Sequence, residues 1–244
     1  EVVLYLPLKH MEDRAVTVVS RVQGAEVREA GVEEPLTDLG GAITVQNGAV
    51  FARRLEGRFA GGAVGIAIDT PVATPARRLV TVEAAGRLEG GRLQRIAGLP
   101  VNAGLAGDTD WRGTMRVERS AADENSRVTA RLESDLAGLT SGLPAPFDKT
   151  AAERRPIAID LEFGRPGHFI ATASHGGLTR ASLAFERAPR GWQIERGDVR
   201  FGPGPDPVVG SEPGLRLSGA LPRASLSSVL ALRDAGSSGR HVQD

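Results

Sequence analysis

The chain has 244 residues, with 30 basic and 30 acidic side chains and a formal net charge of zero. That balance leaves no electrostatic footprint for nucleic acid, and the absence of cysteine excludes disulfides, thiolate metal sites and cysteine nucleophiles. The length suits one large β domain or two smaller ones, and no apolar run approaches the ~18 residues of a membrane-spanning helix.

In chain order, residues 2–6 and 15–22 are rich in β-branched side chains and read as strands. Residues 36–46 lead into Asn47-Gly48, a hairpin turn signal. Short runs follow at 49–54, 57–59 and 63–69; in the last, Val64, Ile66 and Ile68 share a face. Residues 70–76 carry two prolines and read as a connecting loop, so a sub-boundary could fall near 70–78. Residues 79–84 resume with Val80 and Val82 on one side. Gly90-Gly91 argues against a long helix, leaving a short helical turn over 93–99 before Pro100.

Residues 115–118 place Met115 and Val117 together. Val128 and Leu132 then alternate with Arg127, Thr129, Arg131 and Glu133. The segment 134–149, S-D-L-A-G-L-T-S-G-L-P-A-P-F-D-K, interrupts the pattern. Ser134 and Asp135 predict a short helix over 135–139, and Leu-Pro-Ala-Pro predicts an extended exit. Alternation resumes with Ile157, Ile159, Leu161 and Phe163 against Ala158, Asp160 and Glu162. Later runs hold Leu183 with Phe185, then Leu215 with Leu217. Residues 226–232, capped by Ser225, predict a final short helix.

A period of two almost throughout, with turns about every ten residues, predicts a mainly β fold built as an antiparallel meander. One face of the sheet is apolar and the other carries Arg, Glu, Asp and Thr. Two coverings of the apolar face are available. A second sheet could close a sandwich or barrel, or the sheet could curl into an open groove that meets a ligand. The scarcity of aromatics (seven Phe, two Trp, one Tyr) and the many Ala and Gly are compatible with either. A lipid fits the groove physically, because burying an acyl chain yields ~0.8 kcal/mol per methylene.

Catalytic patterns are missing. There is no G-x-S-x-G elbow, Ser174-His175 lies in an ordinary strand end, and Gly61-Gly62 and 202–204 lack the lysine of a phosphate loop. Asp108 and Asp110 beside Trp111 are a weak candidate for a cation or a glycan. His10, His168, His175 and His241 are scattered without metal-motif spacing. No enzyme activity, cofactor or metal is expected.

The run W-R-G-x-M-R-V at 111–117, then S-D-L-A-G-L and L-P-A-P-F-D-K up to 149, resembles the C-terminal part of the YhdP family of AsmA-like bacterial envelope proteins. Phe147 stands where leucine is usual. Residues 36–45, 190–202 and 213–222 follow the same order, so the resemblance covers nearly the full chain. It implies the periplasmic portion of an inner-membrane-anchored Gram-negative protein, and one long, strongly curved antiparallel sheet forming an open hydrophobic groove with a few short helices. The chain would then be one continuous groove segment, 1–244, of a longer protein that carries phospholipids between inner and outer membrane. Other parts of that protein would reach the inner membrane, and envelope proteins could be partners. The resemblance carries over no catalytic residue. Expected to face lipid are Val64, Ile66, Ile68, Val80, Val82, Met115, Val117, Val128, Leu132, Ile157, Ile159, Leu161, Phe163, Leu183, Phe185, Leu215 and Leu217. The rival expectations are a scaffolding role in outer-membrane assembly and a glycan-binding β protein.

Overall fold

The structure is a computed structural model that describes residues 2–5, 15–28, 34–74, 76–96, 103–120, 126–189 and 191–220. The strands are β1 (Val2–Tyr5), β2 (Ala15–Val27), β3 (Leu36–Gln46), β4 (Ala49–Phe59), β5 (Gly62–Ala73) and β6 (Arg77–Glu89). After the helix α1 (Gly90–Ile96) come β7 (Asp108–Ser120), β8 (Arg127–Ser134), β9 (Ile157–Phe163), β10 (His168–His175), β11 (Thr179–Ala188), β12 (Gly191–Phe201) and β13 (Gly214–Gly219).

All thirteen strands lie in one sheet in sequence order, each hydrogen-bonded to its chain neighbours. Among the described residues β1 and β13 are its two edges, so the described sheet is open and the closed-barrel alternative is set aside. Among the described residues α1 is the one helix, and none is long and apolar enough to cross a membrane.

Local chemistry explains most of the elements. Asn47 and Gly48 take φ of 48° and 79°, the left-handed pair of a tight hairpin turn. The Asn47 Oδ1 also accepts a hydrogen bond from Val16 N at 3.0 Å, tying this turn to β2. β4 is longer than its sequence runs suggest, because a register shift absorbs the interruption. Between Ala52 and Leu55 the β4–β5 register slips past Arg53-Arg54. The strand therefore continues to Phe59 with Ala52 and Leu55 both buried.

Four expectations are corrected. Residues 70–73 belong to β5 rather than to a loop: the ladder with β6 shifts between Asp69 and Val72 and then continues. Thr70 anchors that irregularity, its hydroxyl bonding both the N–H and the carbonyl of Val50. The helical turn assigned to 93–99 begins earlier, as α1 at Gly90. No helix forms over 135–139. Leu136 and Gly138 have φ of 53° and 87°, outside the helical region. Ser134 Oγ and Asp135 Oδ1 instead accept from the N–H groups of Leu136 and Ala137, each two residues on, which is turn chemistry that competes with a helix. Finally, the meander is not antiparallel throughout, since β13 pairs parallel to β12 after a return along residues 202–213. The helix expected over 226–232 lies outside the described residues.

Candidate functional site

Cross-strand register places every residue expected to face lipid on one face of the sheet. One row of directly opposed residues runs Leu55, Ile66, Ala84, Gly113, Leu132, Ile159, Ala173, Ala181, Val199, Leu217, crossing ten strands without a polar side chain. The next row is as long: Ala52, Ile68, Val82, Met115, Ala130, Leu161, Ala171, Leu183, Gly197, Leu215. A third holds Val80, Val117, Val128, Phe163, Phe169 and Phe185. Val64 and Ile157 lie on the same face, two residues along their strands from Ile66 and Ile159. Small residues are interspersed among large ones in the first two rows. A Cβ at Gly113 would sit 3.1 Å from a methyl of Leu132, so glycine there makes room for the neighbouring leucine.

This face is open. Of the seventeen residues only Val64 is buried, while Met115, Leu215 and Leu217 are 37%, 49% and 62% exposed and the remainder are half-buried. A face inside a sandwich would show the reverse. Burial is graded along the sheet. Leu39, Ala52 and Leu55 form a small core on which Ala25, Leu36, Ile43, Ile66 and Ile68 pack, whereas β13 is exposed at every position.

The strand ends carry the irregular segments along one margin. There α1 is pinned by Glu34, just before β3, which accepts from Arg92 at 2.8 Å and Arg95 at 3.3 Å. Residues 103–107 and 135–156 join next to it through Ala106–Thr140 and Gly142–Ala103 backbone bonds. Gly107 and Gly138 touch backbone to backbone, leaving no room for side chains. Within this insert Lys149 is 7% exposed, and its ammonium donates to the carbonyls of Leu139 at 2.8 Å and Thr150 at 3.1 Å. Burial pulls its pKa below the ordinary lysine value. Phe147 reaches over the margin and stacks on His175, which lies on the apolar face, with Phe201 edge-on beside it. Burial, then the nearby Arg155, pushes the His175 pKa down.

The sequence reading missed part of the aromatic group on this face. Phe169 stacks on Phe185 at 4.6 Å, meets Phe163 at 5.4 Å and takes the Trp192 edge at 4.8 Å. Alternation within β10 was the available signal for Phe169. Trp192 joins the group across the β11–β12 register shift, which pattern alone does not locate.

The opposite face is charged. Arg131 bridges Asp160 and Glu133, and Glu133 also pairs with Arg112 at 2.8 Å. Hydrogen bonds from Arg112 and then Arg131 hold the Glu133 carboxyl below its usual range. The 202–213 return crosses on this side. Asp198, 3% exposed, accepts from Arg200 and from Val208 N, and Arg200 and Arg180 bind the carbonyls of Pro205 and Gly204. That crossover therefore leaves the apolar side clear.

The weaker sequence candidates do not converge. Strand alternation sends Asp108 and Asp110 to the charged side and Trp111 to the apolar side, where its ring meets Phe59 edge-on at 6.1 Å. Ser174 and His175 point to opposite faces for the same reason.

No curated protein and no solved structure matches the chain. A family model described as YhdP protein matches residues 1–243, in agreement with the motifs at 111–149, and the chain belongs to the YhdP family of AsmA-like bacterial envelope proteins.

Proposed function

We propose that this chain is a length of a lipid-conducting trough whose apolar face shields phospholipid acyl chains on their way through the periplasm between inner and outer membrane. The observation that carries this reading is the pair of ten-strand apolar rows on a sheet face that no other described element covers, save where Phe147 reaches over its margin. A soluble protein rarely exposes so continuous an apolar surface without an occupant. Thirteen strands at ~4.8 Å spacing make a strip of about 58 Å along the stacking direction. Acyl chains need no polar constellation, and a sixteen-carbon tail gains about 12 kcal/mol on leaving water at ~0.8 kcal/mol per methylene. The apolar side is the concave one. Supporting this, Leu55 and Ala52 are 2% exposed although only residues of the same face pack over them, and Phe59 of β4 reaches Trp111 of β7 across three strand intervals.

The work is passive: the trough replaces water around the tails, and no residue makes or breaks a bond. Phospholipid is the partner along the face. In this reading the inner membrane is engaged through other parts of the parent protein, and envelope proteins are further partners.

Photo-crosslinking residues at Ile66, Leu132, Ile159 and Leu161 test this in cells carrying labelled phospholipid. Lipid adducts are expected at these positions. Adducts to protein alone, or none at all four, would mean that the face is a protein-docking or scaffolding surface.

A further inference from the structure

We infer that His168, Glu186 and Glu195 form a binding site for a divalent first-row transition ion of the zinc class, on the charged side of the sheet behind the aromatic group. One imidazole nitrogen and one oxygen from each carboxylate lie within 4.8 Å of one another. They come from three adjacent strands, with His168 at the start of β10 directly opposite Glu186 of β11, and Glu195 in β12.

The convergence depends on a bulge. The β11–β12 register passes from Ala184 opposite Arg196 to Phe185 opposite Ile194, so Glu195 is the extra, unpaired residue. In an unbroken strand the residue next to Arg196 would point to the apolar face. The bulge turns Glu195 back to the charged side, beside Glu186, as bulges re-aim side chains elsewhere.

Electrostatics then ask for a cation. Two carboxylates this close repel. Elsewhere on the same face Glu133, Asp160 and Asp198 each sit on an arginine. Here Glu186 accepts from the neutral amide of Gln193, and among the described residues neither the His168 imidazole nor the Glu195 carboxylate has another partner.

The donor set selects the ion class. Calcium and magnesium take oxygen ligands, whereas one imidazole with two carboxylates suits zinc and its neighbours. Bonds of about 2.0–2.2 Å in a tetrahedron put donors roughly 3.4 Å apart, so modest rotamer closure brings these three onto one ion, with water in the fourth position. The ion would tie β10, β11 and β12 together where the backbone ladder is broken.

Calorimetric titration of the metal-stripped full chain with zinc chloride tests the site, together with thermal denaturation with and without the metal. Saturable binding of one equivalent at this site and a higher melting temperature are expected. His168→Gln and Glu195→Gln should each weaken that equivalent at least tenfold and remove the thermal shift. Glu162→Gln, on the same face one strand away, should keep both. Both ligand variants are half-exposed substitutions, and circular dichroism checks that they fold. Absence of saturable binding at millimolar zinc, or retention of the equivalent in both ligand variants, would overturn the site.

Discussion

At the scale of single residues, the margin insert is held by groups whose charge state matters. His175 is stacked with Phe147 on the apolar face, and burial, then Arg155, lowers its pKa against the opposing Glu153. A histidine with a folded pKa below its unfolded value of about 6.5 favours folding above that value. The unfolded chain takes up the proton first as pH falls, so stability is lost from about pH 6.5 down to the lower folded pKa. Melting temperature should therefore drop between pH 7 and pH 5, and the drop should be smaller in His175→Phe, which keeps the ring contact without the proton. An equal drop in the variant would place the acid sensitivity elsewhere. Lys149 offers a second case. Its ammonium satisfies two carbonyls from a nearly buried position, so Lys149→Met should leave them unpaired and cost about 1–3 kcal/mol in a urea titration.

At the scale of the strand, the two ends of the apolar face should respond differently to the same substitution. Leu55 is 2% exposed within a packed cluster, whereas Ile159 is half-buried in the open part of the same row. Leu55→Asp forces an unpaired carboxylate into that cluster and should cost on the order of 4 kcal/mol or more, enough to prevent folding. Ile159→Asp can hydrate its charge and should fold with a melting temperature near that of the parent, yet lose lipid crosslinking at Leu161. If Ile159→Asp unfolds the chain as Leu55→Asp does, the face is closed there and no acyl chain enters.

The same strands show what periodicity can and cannot reveal. Alternation such as Ile157-Ala-Ile-Asp-Leu-Glu-Phe163 states directly which side chains share a face, because strand geometry leaves only two directions. Register then follows from short hairpins where one joins the strands, as at β3–β4, β4–β5 and β10–β11, whereas at β6–β7 and β8–β9 it is the continuing face alternation that keeps the rows aligned across α1 and the 135–156 insert. Bulges are another matter. Nothing in Arg53-Arg54 or Glu195 marks an extra residue, and each depends on how the neighbouring strand pairs. Residues 135–139 form a turn rather than the expected helix because Ser-Asp is equally good chemistry for a helix cap and for a side-chain-to-backbone turn. The left-handed Leu136 decides between them, and only the packing of 135–156 against 103–107 imposes it. The parallel β13 is not legible in the sequence, because a Pro/Gly-rich return of this kind has the composition of any hairpin loop and its course is set by the contacts of Asp198 and Arg200.

At the scale of the molecule, a single sheet with each strand bonded only to its chain neighbours is nearly one-dimensional, and its stability should be propagated from strand to strand as in repeat proteins. The best-buried segment, β3 to β5, lies towards one end, and the exposed β13 closes the other. Native-state hydrogen exchange should therefore show a gradient rather than one global value, with the slowest amides in β4 and β5 and the fastest ladder amides in β13. Arg200 and Asp198 clamp the return that delivers β13, so Asp198→Ala should speed exchange in β13 selectively and leave β4 unchanged. Adding phospholipid should raise protection most where the apolar face is most open, from β7 to β13, because shielding there replaces water that β3 to β5 have already excluded. Uniform protection across all the strands, unaffected by lipid, would mean that the sheet unfolds as one cooperative layer and that its apolar side gains nothing from an occupant.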